Sequence, residues 1–202
     1  MIETIEIRWF AEGHLPDTVL QWYATLGRLP EKEVRTDVYL IPLDPAEPGI
    51  KLREGALEIK RMRGFYEDEP FGSITAAAQE WAKWRIPTER DPSDNLTGWL
   101  NVKKERWVRT FEVDSHGQLS DADGQQVRNG ATVELSSISA DSRSWWSLCV
   151  EGFGESFDAR IAAFEEVASH ALKNAPAELE KAQQAGYPAW LEENFRSRAV
   201  QL

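Results

Sequence analysis

Hydrophobic and polar positions alternate with a period of two along most of the first 153 residues, and with a helical period after that. In residues 2–10, Ile5, Ile7 and Trp9 fall on one side and Thr4, Glu6, Arg8 and Phe10 on the other, which predicts a half-buried strand. Residues 15–26 read as a helix, with Pro16 suited to its first turn and Gly27 to its stop. A second strand is expected over 34–41, followed by the turn-rich stretch PLDPAEPG at 42–49. Residues 50–53 and 56–63 predict a hairpin around Glu54-Gly55, and 64–72 an acidic loop.

Residues 73–86 carry two patterns. Ala76 to Ala78 favour a helix, while Trp81, Lys83 and Arg85 alternate with Ala82, Trp84 and Ile86 as in a strand; a strand over about 80–86 is the expectation. Strands over 100–114, 131–138 and 145–153 follow, with a turn at 116–125. Phe157, Ile161, Phe164, Val167, Ala168 and Leu172 then keep helical spacing. A further helix is expected over 177–195, broken near Gly186-Tyr187-Pro188. About eight strands with in–out alternation and a helical C-terminal region predict an α+β protein. Its 202 residues are expected to form one domain around a closed antiparallel barrel, whose polar inner face would line a solvent-filled tunnel.

Charge changes that picture most. The chain has a formal net charge of -11, yet residues 50–63 hold five Lys/Arg against two Glu, and residues 100–109 hold four against one. Lys51 and Arg53 alternate with Ile50 and Leu52, and Lys104 and Arg106 sit two apart after Val102. Cations on one face of a strand in an acidic protein point to a concave site for a polyanion. They argue against a broad basic surface for nucleic acid. No apolar run is long enough to span a membrane, and the N-terminus lacks the basic and apolar regions of a secretory signal. The single Cys149 excludes an internal disulfide and a cysteine-based metal cluster, and a cytoplasmic location fits. Most of the nine Trp are expected in the core or the barrel wall.

The order of elements resembles the CYTH superfamily, the triphosphate tunnel metalloenzymes. The resemblance is carried by Glu6-Ile7-Arg8, Asp37-Val38-Tyr39, Ile50-Lys51-Leu52-Arg53, Leu57-Glu58-Ile59-Lys60, residues 102–106 (VKKER), Thr132-Val133-Glu134-Leu135 and Cys149-Val150-Glu151. It implies an eight-stranded antiparallel tunnel that grips a triphosphate with basic side chains and holds Mg or Mn with carboxylates. It implies Arg8, Lys51, Arg53, Lys60, Lys104 and Arg106 as phosphate contacts, with Lys60 and Arg106 as candidate catalytic residues. Glu6, Glu134 and Glu151 become candidate metal ligands, and a metal-oriented water would attack the terminal phosphorus in line. The chemistry is reasonable for these residue types: Arg and Lys give charge-assisted hydrogen bonds to phosphate oxygens, and Mg prefers carboxylate, water and phosphate oxygens.

The chain departs from the family pattern at both acidic pairs. Where the family has Glu-x-Glu-x-Lys, this sequence has Thr4-Ile5-Glu6-Ile7-Arg8, and its last Glu-x-Glu is Cys149-Val150-Glu151. Glu3 should point to the opposite face. Fewer anionic ligands weaken divalent-cation binding, so three functions stay open. These are a metal-dependent triphosphatase, a non-catalytic polyphosphate- or nucleotide-binding module, and a START-like binder of a small apolar ligand. Basic side chains inside the barrel would favour the first two, and an apolar cavity the third.

Simpler roles stand beside each candidate. Glu6 and Arg8 could be cross-strand charge partners, Glu134 a barrel-wall partner, and the lysine and arginine pairs a solvated sheet face. His14, His116 and His170 are scattered without metal-ligand spacing, and Cys149 has no evident base partner. The Asp-rich turn at 120–125 lacks the later Glu of a calcium loop and reads as a hairpin turn.

Overall fold

The structure is a computed structural model that describes residues 1–89 and 98–199. Its elements run β1 (Ile2–Glu12), α1 (Asp17–Thr25), β2 (Glu33–Leu40), β3 (Gly49–Arg53), β4 (Ala56–Phe71), β5 (Ile74–Pro87) and β6 (Trp99–Val113). They continue with β7 (Leu119–Asp121), β8 (Gly130–Ala140), β9 (Arg143–Phe153), α2 (Phe157–Leu172), α3 (Ala177–Glu180), β10 (Gln183–Gln184) and α4 (Tyr187–Ala199).

Eight strands close into an antiparallel barrel in the order β1-β5-β4-β3-β2-β6-β8-β9, with β9 returning to β1. The closing register runs from Ile5 opposite Gly152 to Glu12 opposite Trp145. Two short strands sit outside this ring: β7 pairs with the end of β6, and β10 pairs with Trp9 and Phe10 of β1. Closure leaves most strands with both faces occupied, so period-two alternation now separates an outer from an inner set.

The outer set packs under helices. Ile5, Ile7 and Trp9 of β1, Val133 and Leu135 of β8, and Leu148 and Val150 of β9 form one apolar core with Phe164, Val167 and Leu172 of α2 and Val19 and Tyr23 of α1. Each such side chain contributes roughly 1.5–3 kcal/mol by leaving water. The Tyr23 hydroxyl donates to the Val133 carbonyl at 2.9 Å, which fixes α1 to the barrel wall. Ser156 caps α2 by accepting from the Ala159 N–H at 3.2 Å.

The inner set divides along the barrel. At one end, inward-facing Phe10, Tyr39, Leu100, Ile138 and Trp145 pack with Trp190, Leu191 and Phe195 of α4. Phe10 stacks on Trp190 with centroids 4.7 Å apart, and Trp145 meets Trp190 edge-on at 5.3 Å. The C-terminal helix therefore fills this end with aromatic rings. The charged residues of the inner set occupy the remainder.

Four local expectations need correction. The predicted acidic loop at 64–72 is strand: β4 continues to Phe71 through two register shifts and turns at Gly72 into β5. This ribbon is mostly exposed, so it lacks the alternation that marks a half-buried strand; Phe71 and Ile74 at its tip reach the outer core. Pro70 is tolerated because β4 pairs with β3 only as far as Lys60. The strand expected over 80–86 begins at Ile74, with Ala76 and Ala78 buried in the same core. The turn at 116–125 contains the short β7. The helix expected over 177–195 with a break near Gly186-Tyr187-Pro188 is α3, β10 and α4: the break begins earlier, after Glu180, and Pro188 lies in the first turn of α4. No helix among the described residues is long and apolar enough to cross a membrane.

Candidate functional site

The charged part of the interior is a cavity of about 180 Å³. Glu6 and Arg8 come from β1, Arg35 and Tyr39 from β2, Lys51 and Arg53 from β3, and Glu58 and Lys60 from β4. Trp81 and Lys83 come from β5, Lys104 and Arg106 from β6, Glu134 from β8 and Glu151 from β9. Tyr187 and Pro188 at the start of α4 complete the lining. Side-chain parity explains the convergence: positions two apart on each strand point the same way, and the barrel turns that way inward. Thus the six expected phosphate contacts and the three expected metal ligands all line one cavity, as does Tyr39 of the Asp37-Val38-Tyr39 motif. Glu3 faces outward to Arg160 and Arg63, as its parity requires.

The cavity wall carries eight Lys/Arg and four Glu. Asp37, fully buried, adds a fifth carboxylate beside Lys104 and Lys51. These charges form two groups, joined through Glu33 and Arg35, which link Arg106 to Asp37. In the first, Arg8 bonds Glu6 through Nε at 3.2 Å and Glu134 through Nη1 at 3.0 Å. Arg106 donates to the other oxygen of Glu134 at 2.6 Å, and Lys60 pairs closely with Glu6 and lies 3.6 Å from Glu151. In the second, Lys104 donates to Asp37 at 2.8 Å and to the Tyr39 hydroxyl at 2.7 Å. Lys51 lies 3.2 Å from Glu58 and 3.6 Å from Asp37, while Glu58 also holds Arg53 at 3.0 Å and Arg85 at 2.8 Å.

Burial and charge pull the ionisations apart. Burial drives the Lys51 ammonium down to about 7, helped by Lys104 and Arg53 and opposed by Asp37 and Glu58. Burial likewise lowers Lys104 to about 8 against the pull of Asp37 and Glu134. At Lys60 burial acts downward too, but Glu6 and Glu151 outweigh it and hold the ammonium above its usual range. Burial would raise the Glu134 carboxyl; Arg8, Arg106, Lys104 and Arg35 reverse that and hold it well below the usual carboxylate range. Cys149 also lies in the wall, where burial pushes its thiol well up despite Arg8, so it offers no thiolate.

Glu6, Glu134 and Glu151, the expected metal ligands, lie on β1, β8 and β9 of the cavity wall. Among the described residues, no three His, Cys, Asp or Glu side chains gather into a group that could hold a metal ion. The physical reason is the pairing: each of the three carboxylates already lies against a lysine or arginine from another strand. Thr4 and Cys149, two residues before Glu6 and Glu151, are both buried, and Thr4 interacts with Glu151 by a side-chain hydrogen bond.

Arg35, Glu58, Trp81, Lys83 and Tyr187 line the cavity beyond the candidate ligands expected from the sequence. Arg35 shares parity with Asp37 and Tyr39, and Glu58 with Lys60, so the first two were findable by extending the alternation. Lys83 lies two residues from Trp81 on the strand whose start was misplaced. Among the described residues it makes no ion pair, yet it stands close enough to lower Glu58 and Glu151. Tyr187 has no local signal. It stacks on Tyr39 at 4.9 Å and lies under the Lys104 ammonium at 4.0 Å, and only tertiary packing brings it there. The Asp-rich turn is accounted for: Asp121 accepts from the buried Arg109 at 2.7 Å, and Asp123 from the Thr110 N–H at 2.6 Å.

No protein-family profile matches the chain, and no curated protein does. Among solved structures, the chain is similar to the S. pombe Pct1 RNA triphosphatase in complex with the Spt5 CTD. The identity is 12% and the TM-score 0.43, over 98% of this chain and 82% of that one.

Proposed function

We propose that the barrel binds a small polyphosphate anion, a triphosphate or a triphosphate-bearing compound, in its basic cavity. One observation carries this reading: eight Lys/Arg side chains converge inside a chain whose net charge is -11. Gathering so many cations in a low-dielectric interior is costly unless anions compensate them. The carboxylates compensate part, and the excess of positive charge matches a multiply charged ligand. The buried Nε atoms of Arg35 and Arg53 make no hydrogen bond and lie 3.4 Å from Asp37 and 3.7 Å from Glu54, so phosphate oxygens would supply closer acceptors. With α4 across one end, the phosphates enter from the other mouth, and any organic group remains on that side. A cavity walled by paired charges gives no support to an apolar ligand.

Inorganic triphosphate is the direct probe. Calorimetric titration of the wild type is compared with Lys51→Met, Arg106→Met and Lys103→Met, the last of which removes an exposed cation. Loss of a cavity cation is expected to weaken binding by about tenfold or more, as for a charged partner lost from a buried pair, while Lys103→Met binds as the wild type does. Equal affinities across all four proteins would remove the site from the cavity. Hydrolysis is the finer form of the proposal, with Lys60 and Arg106 stabilising charge on the reacting phosphoryl group. Phosphate release with Mg or Mn present, and with EDTA, reads it, and release unchanged by Lys60→Ala would take Lys60 out of that role.

A further inference from the structure

Glu134 stands between two arginines from different walls of the barrel. Its Oε1 accepts from Arg8 Nη1 of β1, and its Oε2 accepts from Arg106 Nη1 of β6. One carboxylate thus bridges two guanidiniums, with an oxygen on each, which is how a phosphate group would bridge them. The strand that carries it is paired on both sides, opposite Val108 of β6 and Cys149 of β9, so the carboxylate is delivered by a rigid wall.

We propose that Glu134 is an internal counter-anion holding a phosphate position between Arg8 and Arg106, so that the cavity takes the free polyphosphate anion and not its divalent-metal complex. This deepens the function proposed above and rests on it. A divalent cation at Glu134 would have to draw the carboxylate off both arginines and then sit among Arg8, Arg106 and Lys104, where like charges repel it. The same holds at Glu6, which Arg8 and Lys60 both occupy. A phosphate does the reverse. It replaces the carboxylate at the two guanidiniums, and Glu134 withdraws by rotating its side chain. Metal complexation cancels part of the phosphate charge and so weakens this exchange.

The test is calorimetric titration of inorganic triphosphate into the wild type and Glu134→Gln, each with EDTA and with MgCl2. Glutamine keeps the shape and one acceptor while removing the competing charge. The wild type is expected to bind in EDTA and less tightly in Mg2+, and Glu134→Gln to bind about tenfold tighter than the wild type in EDTA. Wild-type binding that appears only with Mg2+ would overturn the inference, as would weaker binding by folded Glu134→Gln. Should that variant fail to fold by tryptophan fluorescence, the wild-type comparison between EDTA and Mg2+ decides alone. No binding by folded wild type in either buffer would instead overturn the proposed function.

Discussion

Lys104 Nζ lies 2.8 Å from Asp37 Oδ2, and the two side chains are 2% and 0% exposed, so this ion pair is enclosed by the barrel. Tyr39 ties it further by accepting from Lys104 and donating to Asp37. Removing one partner leaves the other as an uncompensated buried charge. Asp37→Ala is therefore expected to destabilise the fold by about 3–5 kcal/mol. Urea unfolding followed by tryptophan fluorescence measures this, and a loss below about 1 kcal/mol would show that the pair is solvated.

Anion affinity should fall as pH rises above 7. Burial holds Lys51 at about 7 and Lys104 at about 8 in the anion-free protein. A bound polyanion favours their charged forms, so binding takes up protons over this range, and affinity declines once both lysines are neutral. Inorganic triphosphate loses its last proton and gains charge within this range, an effect common to every variant, so the lysine contribution is read from the difference between the wild type and a variant that cannot titrate there. Titrations at pH 7 and pH 9 are expected to differ, and Lys51→Arg, which stays charged, should flatten the difference. A profile identical in the wild type and Lys51→Arg would mean that Lys51 does not contact the anion.

Trp190 holds the closed end of the barrel. It is 1% exposed and touches Phe10, Trp145, Tyr187 and Phe195. Truncation to Ala removes most of those contacts and leaves a void that the strands cannot collapse into. The expected cost is about 3–5 kcal/mol, seen as a lower urea midpoint with an unchanged slope. A midpoint equal to that of the wild type would mean that α4 does not fill the barrel end.

At Gly152, α2 packs directly against β9. A Cβ there would lie 2.6 Å from the Phe164 Cβ and 2.9 Å from the Arg160 carbonyl oxygen. Neither can retreat without moving the helix off β9. Gly152→Ala should cost about 1–3 kcal/mol as overpacking, and thermal unfolding tests it. A variant as stable as the wild type would place α2 farther from β9.

Much of the barrel could be read from alternation, because closure buries both faces of its strands without disturbing parity. The same parity put Arg8, Lys51, Arg53, Lys60, Lys104 and Arg106 inward. Pairing between strands is what a linear pattern conceals. Nothing near Glu134 in the sequence marks Arg8, 126 residues away, as its partner, so the pattern shows the carboxylate but not the arginines that hold it. The end of β4 before Phe71 reads as a loop for a different reason: it is mostly exposed, which removes the selection for alternating residues. Tyr187 could not be placed at all, since its position depends on where α4 docks.

The most direct test of a polyphosphate-binding cavity is calorimetric titration of inorganic triphosphate into the wild-type protein at pH 7 in EDTA. A cavity of this charge predicts one saturable site per chain, with affinity that falls as salt is added. Folded protein that gives no binding heat and no rise in unfolding temperature with triphosphate would contradict it.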